Sequence, residues 1–249
     1  MSRLSDQLFI CLDCETTGLD PVRDQIIEVA LLLFTPNEEI DRFTTLVNPG
    51  CPIPENSIAI HHITNEMVLQ APPIEQVLPK LLAILQSYPI VGHGIEFDVT
   101  LLANACGKHG LAHPFDNKVL IDTLRMARLY GDSPTNSLEQ LGRHFNIGVE
   151  GTHRAMNDVE INVAVFKQLL KFYKNLDELL AILEKPILMK HMPLGKHKGS
   201  RFKDIPLPYL KWAVNKDFDR DLLHSLRTEI KRRQQGTGFL QATNPFSGL

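Results

Sequence analysis

Hydrophobic positions along this chain change period partway through. LFICLDC (8–14) is apolar but for one aspartate and reads as a buried strand. IIEVALLLF (26–34) reads as a second strand and RFTTLV (42–47) as a third, with Gly18 and Pro21 marking a turn between the first two. From residue 75 the spacing becomes helical: Val77, Leu81, Leu82 and Leu85 recur over 75–86. A short strand is expected at 89–92, a helix from about Phe97 to Lys108, and a strand at VLID (119–122). Asp122 is placed to cap the helix that follows. Helices at 137–144 and 155–173 complete this part, the second aligning Val159, Val163, Phe166 and Leu170 in one stripe. Antiparallel strands first, then strands alternating with helices, predict an α/β fold whose sheet is covered on both faces.

The pattern then shortens. A helical stretch near 175–184 leads through EKPILMKHMP to a small segment. In it LGKHKGSRF reads as a Gly-punctuated hairpin, and LPYLKWAV and DRDLLHSLRTEIKRR as two helices. The expected organisation is a first domain over 1–175, a linker at 176–191, a small α+β module at 192–233 and a flexible tail at 234–249. Charge divides the same way. Residues 1–189 carry 14 Lys and Arg against 24 Asp and Glu, whereas 190–233 carry 12 against 5. The basic segment is a candidate for phosphate contact, with Lys196, Lys198, Arg201 and Lys203 as the expected residues. Four cysteines in 249 residues do not make a disulfide framework. With no apolar stretch of membrane-span length and no signal-peptide pattern at the start, the expected location is the cytoplasm.

Candidate chemistry lies in acidic residues at costly places. Asp13 and Glu15 end an apolar strand, where two negative charges need a neutralising cation. Two residues apart on a strand, they share a face. Asp98 falls in the first turn of one expected helix and Asp158 early in another. Such carboxylates suit Mg²⁺ or Mn²⁺, and two ions about 4 Å apart serve in-line displacement at phosphorus. His153, five residues before Asp158, is expected on the loop ahead of the helix. Histidine, with an ordinary pKa near ~6.5, suits general-base work. Cys11 and Cys14 have the spacing of a metal or redox pair, but three apart on a strand they point to opposite faces.

Three segments resemble the motifs of the DEDDh branch of the DEDD 3′→5′ exonucleases, which includes the epsilon proofreading subunit of bacterial DNA polymerase III. Asp13-Cys14-Glu15-Thr16-Thr17-Gly18-Leu19 is similar to the first motif, Phe97-Asp98 with Leu101 and Leu102 to the second, and His153-Arg154-Ala155 with Asp158 to the third. The resemblance covers residues 6–173. It implies a ribonuclease H-like mixed five-stranded sheet flanked by helices, two divalent ions, and release of nucleoside 5′-monophosphates from a 3′ end. Carried over, Asp13, Glu15, Asp98 and Asp158 are metal ligands and His153 is the base. Thr16 contacts the terminal nucleotide and Leu19 wedges against its base. Gly94 and His62 depart from the family, which often has Asn and usually has Gly at those places.

The leading expectation is a metal-dependent DNA exonuclease acting in proofreading or repair on single-stranded or frayed 3′ ends, beside a replicative polymerase catalytic subunit. The alternatives are an RNA-trimming exoribonuclease of the same branch, distinguished by its treatment of the 2′-hydroxyl, and a catalytically inactive binding scaffold. Gln241 to Phe246 loosely resemble a sliding-clamp-binding peptide without its aliphatic residue at the fourth place.

Overall fold

The computed structural model describes residues 4–86, 88–130, 136–148 and 153–242, with side chains for all of these except residues 5 and 236–242. The chain divides into two compact units: residues 1–126 with 137–180, and residues 127–136 with 181–249.

The first unit is built on a five-stranded sheet. β1 (Phe9–Thr16), β2 (Ile26–Phe34) and β3 (Glu39–Leu46) form an antiparallel meander, and β4 (Ile90–Gly92) and β5 (Leu120–Asp122) continue from β1 in parallel, in the order β3-β2-β1-β4-β5. β3 starts at Glu39, ahead of the expected Arg42, because its alternation is carried by charged residues on an exposed edge. α1 (Glu55–His61) and α2 (Asn65–Val68) follow it. Both are too short for a hydrophobic period to reveal. His62 closes α1 at φ 59°, the left-handed conformation that explains why glycine is usual there.

α3 (Ile74–Leu85) and α4 (Glu96–Lys108) cover one sheet face, packing Leu78, Leu81 and Leu102 against Ile10 and Leu12 of β1. α5 (Thr123–Tyr130) follows β5, and Asp122 accepts a hydrogen bond from the Leu124 amide at 2.8 Å, the expected cap. α6 (Leu138–His144) is capped by the Ser137 hydroxyl. α7 (Ala155–Leu170) covers the opposite sheet face, where Phe9, Phe34 and Phe166 meet with ring centroids 5.1–5.8 Å apart. α8 (Leu176–Leu183) comes next.

The second unit holds α9 (Leu207–Ala213) and α10 (Arg220–Ala242) around Met192, Phe202, Ile205, Leu210, Leu222 and Leu226. Arg128 and Asp221 form a buried pair at 2.9 Å, and Asp221 also accepts from the Ile187 amide at 3.0 Å. The segment expected as a hairpin, 194–202, reverses the chain without strands of any length. His191 and Arg201 form one antiparallel bridge, and Met192 exchanges backbone bonds with Gly199 and Ser200 at 2.8 and 2.9 Å. The 3₁₀ turn Gly195–His197 lies between, and a second 3₁₀ turn, Phe202–Asp204, follows. The clamp-like peptide lies outside the described side chains. No described helix is long and apolar enough to cross a membrane.

Candidate active site

β1 carries Asp13 and Glu15 on the face covered by α7, as the two-residue period requires. Asp158, in the first turn of α7, meets them. One carboxylate oxygen from each of Asp13, Glu15 and Asp158 lies within 4.8 Å of the other two. Asp98, at the start of α4, stands beside this trio rather than within it. It is buried, and its Oδ1 accepts a hydrogen bond from the Cys14 amide at 3.0 Å. His153 lies two residues ahead of α7, exposed and left-handed at φ 68°, and its amide donates to Asp158 Oδ2 at 3.1 Å.

Burial dominates the electrostatics, and like charges add to it. Burial, then the charges of Asp158 and Glu28, push Glu15 up to about 8. Asp98 is raised to about 7 by burial, against hydrogen bonds from Cys14 and its own backbone. Asp13 is raised well above the carboxylate range by burial and then by Asp98 and Glu15. Burial also raises Asp158, opposed by the amide and charge of His153. Like charges this close leave a deficit of positive charge, and clustered carboxylate oxygens are the donors that hard divalent cations prefer. The residues therefore fit a divalent-metal site. Burial likewise lifts the Cys11 and Cys14 thiols, both free, and nearby carboxylates lift them further.

Beside the site, residues 17–25 form a braced loop. Thr17 Oγ1 donates to Asp24 at 2.8 Å and accepts from the Gln25 amide at 3.0 Å, while Asp24 accepts from the Asp20 amide at 2.8 Å. Gly18 lies so close to Asp24 that a Cβ there would stand 2.5 Å from the carboxylate. The loop leaves Leu19 88% exposed. Thr16 is buried, its hydroxyl donating to the Gly18 carbonyl at 2.5 Å.

One contributor escaped sequence reasoning. Glu28 of β2 lies directly across from Glu15, buried, and binds the Arg154 guanidinium and the Ala155 amide. A lone acid inside an apolar strand was the available signal, and it carried no hint of its partner. The four expected phosphate contacts lie in the second unit. Lys196 and Lys198 are at the Gly195–His197 turn, while Arg201 and Lys203 line a separate groove of about 420 Å³.

Residues 10–166 match the family described as "Exonuclease", which fits the four acids and the histidine five residues before the last. The chain belongs to this family. It is a 3′–5′ exonuclease of the DEDDh branch, related to polymerase proofreading domains. DNA polymerase III subunit epsilon of Aquifex aeolicus is 32% identical over 169 residues, 68% of this chain and 83% of that protein. DNA polymerase III PolC-type of Caldanaerobacter subterraneus subsp. tengcongensis is 33% identical over 193 residues, 75% of this chain. The chain spans only 12–14% of the length of such PolC-type relatives. Among solved structures, exonuclease X in complex with 5′ overhanging duplex DNA superposes with a TM-score of 0.57 at 25% identity, covering 70% of this chain and 98% of that one. E. coli exonuclease I in complex with a dA16 oligonucleotide shares the fold, at TM-score 0.63 and 18% identity over 72% of this chain and 43% of that one. Residues 181–231 match a second family, described as "Putative quorum-sensing-regulated virulence factor".

Proposed function

We propose that this exonuclease degrades DNA from single-stranded or frayed 3′ ends, releasing nucleoside 5′-monophosphates in proofreading or repair. The observation that carries the reading is the meeting of Asp13, Glu15 and Asp158 within 4.8 Å, with His153 tethered to Asp158. Asp13, Glu15, Asp98 and Asp158 would hold two Mg²⁺ or Mn²⁺ ions, whose chemistry is to acidify a water and to stabilise the departing 3′ oxygen.

The chain's own residues do the rest. His153 accepts the proton of the attacking water through an imidazole that its exposed loop position leaves accessible. The bond from its amide to Asp158 keeps it beside the acidic trio. The braced 17–25 loop holds Leu19 outward, where its side chain packs on the terminal base without reading its identity. Thr16, adjoining Glu15 at the end of β1, contacts the same nucleotide. The polymerase III relatives support DNA as the substrate and a replicative polymerase as a partner. The basic second unit, through Lys196, Lys198, Arg201 and Lys203, supports retention of the phosphate backbone.

Degradation rates on matched DNA and RNA oligonucleotides test the reading. A clear preference for DNA is expected, and faster removal of ribonucleotides overturns it.

A further inference from the structure

The second unit carries an aromatic cluster at its surface. Trp212, the chain's single tryptophan, is 53% exposed at the end of α9. Tyr209, one helical turn earlier, meets it with ring centroids 5.3 Å apart, and His197 meets Tyr209 edge-on at 4.5 Å. The turn bearing His197 is pressed onto Tyr209: a Cβ on Gly195, at φ 71°, would lie 2.9 Å from the tyrosine hydroxyl. Tyr209 is thus held by packing before any ligand arrives, and Trp212 leans on it at an interplanar angle of 45°.

The lysines around them have no carboxylate partner among the described residues. In the same unit Arg128 is bound by Asp219 and Asp221, and Arg232 and Arg233 by Glu229. Lys196 and Lys198 flank His197 in sequence, and Lys211 adjoins Trp212. Lys216 places its ammonium 4.9 Å from the Trp212 centroid. None of these four lysines makes an ion pair among the described residues. An exposed aromatic surface costs free energy in water unless something covers it, and unpaired lysines beside it select an anionic cover. Flat rings with phosphate-binding cations at their rim are the recurring solution for single strands, because every base has a stacking face and every nucleotide a charge.

We propose that the His197–Tyr209–Trp212 face is a stacking platform for single-stranded nucleic acid, with Lys196, Lys198, Lys211 and Lys216 holding the flanking phosphates. The inference rests on the exonuclease reading for the polymer's identity and adds to it a second binding place, remote in sequence from the acidic site. The platform reads neither base identity nor register. It retains the strand between successive cleavages.

The lone tryptophan makes the test direct. The full chain carrying Asp13→Asn, in chelator, is titrated with fluorescently labelled oligo-dT and oligo-rU while Trp212 emission and probe anisotropy are recorded together. Saturable quenching that tracks the anisotropy is expected. Trp212→Ala should weaken binding roughly tenfold, the loss of one stacked base, and Trp212→Phe less. Lys211→Ala and Lys216→Ala should each lower the salt slope by about 0.7. Quenching by oligo-dT alone or oligo-rU alone would support the platform and name its polymer. Saturable binding with unchanged emission, or Trp212→Phe and Trp212→Ala both binding as the parent does, overturns it. No binding in chelator, while the metal-loaded wild type still shortens the oligonucleotides, overturns the platform and leaves the exonuclease reading standing. Quenching by a wild type that hydrolyses neither polymer with Mg²⁺ or Mn²⁺ upholds the platform and removes the exonuclease reading instead.

Discussion

Glu28 of β2 grips Arg154 with both carboxylate oxygens, at 3.0 Å to Nε and 2.7 Å to Nη2, and takes the Ala155 amide at 3.0 Å as well. Three charge-assisted bonds from one buried group fasten the start of α7, on which Asp158 rides and two residues ahead of which His153 stands. Glu28 touches no reacting atom in the proposed reaction. It is a positioning residue, and this sets its mutational signature. Glu28→Gln should lower kcat about tenfold or more with little change in KM, and reduce stability by about 1–3 kcal/mol, discounted because Arg154 is partly solvated. Arg154→Lys, which keeps charge but loses the fork, should lie between. Kinetics and thermal unfolding on the same preparations check both, and a Glu28→Gln enzyme with normal kcat would refute the role.

Asp13 sits where burial and four neighbouring carboxylates work against its charge. Asp13→Asn should remove hydrolysis by at least about three orders of magnitude, through loss of an ion ligand. In chelator it should leave stability equal to or above that of the wild type, because a repulsive charge has gone. Unfolding temperatures below wild type in chelator would show that Asp13 is held by something other than a missing cation.

The raised carboxyls give the ion-free protein a defined pH response. Glu15 titrates near 8 when folded against an ordinary value of 4.5, so the folded state binds more protons than the unfolded state between those limits. Its stabilising contribution is complete below pH 4.5 and disappears as the pH rises through about 8, and Asp98, raised to about 7, adds in the same direction. Melting temperature in EDTA should therefore fall from pH 5 to pH 8 as far as these groups govern it. Mg²⁺ or Mn²⁺ should restore more at pH 8 than at pH 5, since ions compete with protons for the same oxygens. An ion effect independent of pH would contradict this.

Leu19 and Gly18 are neighbours with opposite expected phenotypes. Leu19 is 88% exposed, so Leu19→Ala should leave melting within the usual range for a surface change while raising KM about tenfold, the apolar burial lost against a terminal base. Gly18→Ala drives a methyl into the Asp24 carboxylate and should destabilise by about 1–3 kcal/mol while also disturbing turnover. Steady-state kinetics beside calorimetry separates the two, and equal melting losses would reject the distinction.

The acidic trio was legible in the sequence because a strand period of two and a helix start are local signals. Asp13 and Glu15 announce themselves by standing in an apolar run. Glu28 stands in one too, yet its meaning depends on a strand register that sets it opposite Glu15 and on a partner 126 residues away. No window along the chain contains both. The short helices α1 and α2 were missed for a related reason, since one or two turns display too few apolar positions to establish a period. In the second unit, Gly195 and Gly199 suggested a hairpin; Gly195, at φ 71°, opens a 3₁₀ turn, and Gly199, at φ 80°, returns the chain so that its amide meets the Met192 carbonyl at 2.8 Å. Glycine spacing reports that a chain bends and leaves open what the bend joins.

The two sulfurs built into β1 have a bearing on oxidative chemistry. The thiolate is the form that attacks a peroxide or a disulfide, and burial first, then the neighbouring carboxylates, work against that form at Cys11 and Cys14. Oxidants therefore meet Cys51, exposed on a loop, well before either. The strand that gathers these acids thus also buries its own thiols, and mass-spectrometric mapping after peroxide treatment should find the modified sulfur at Cys51 first.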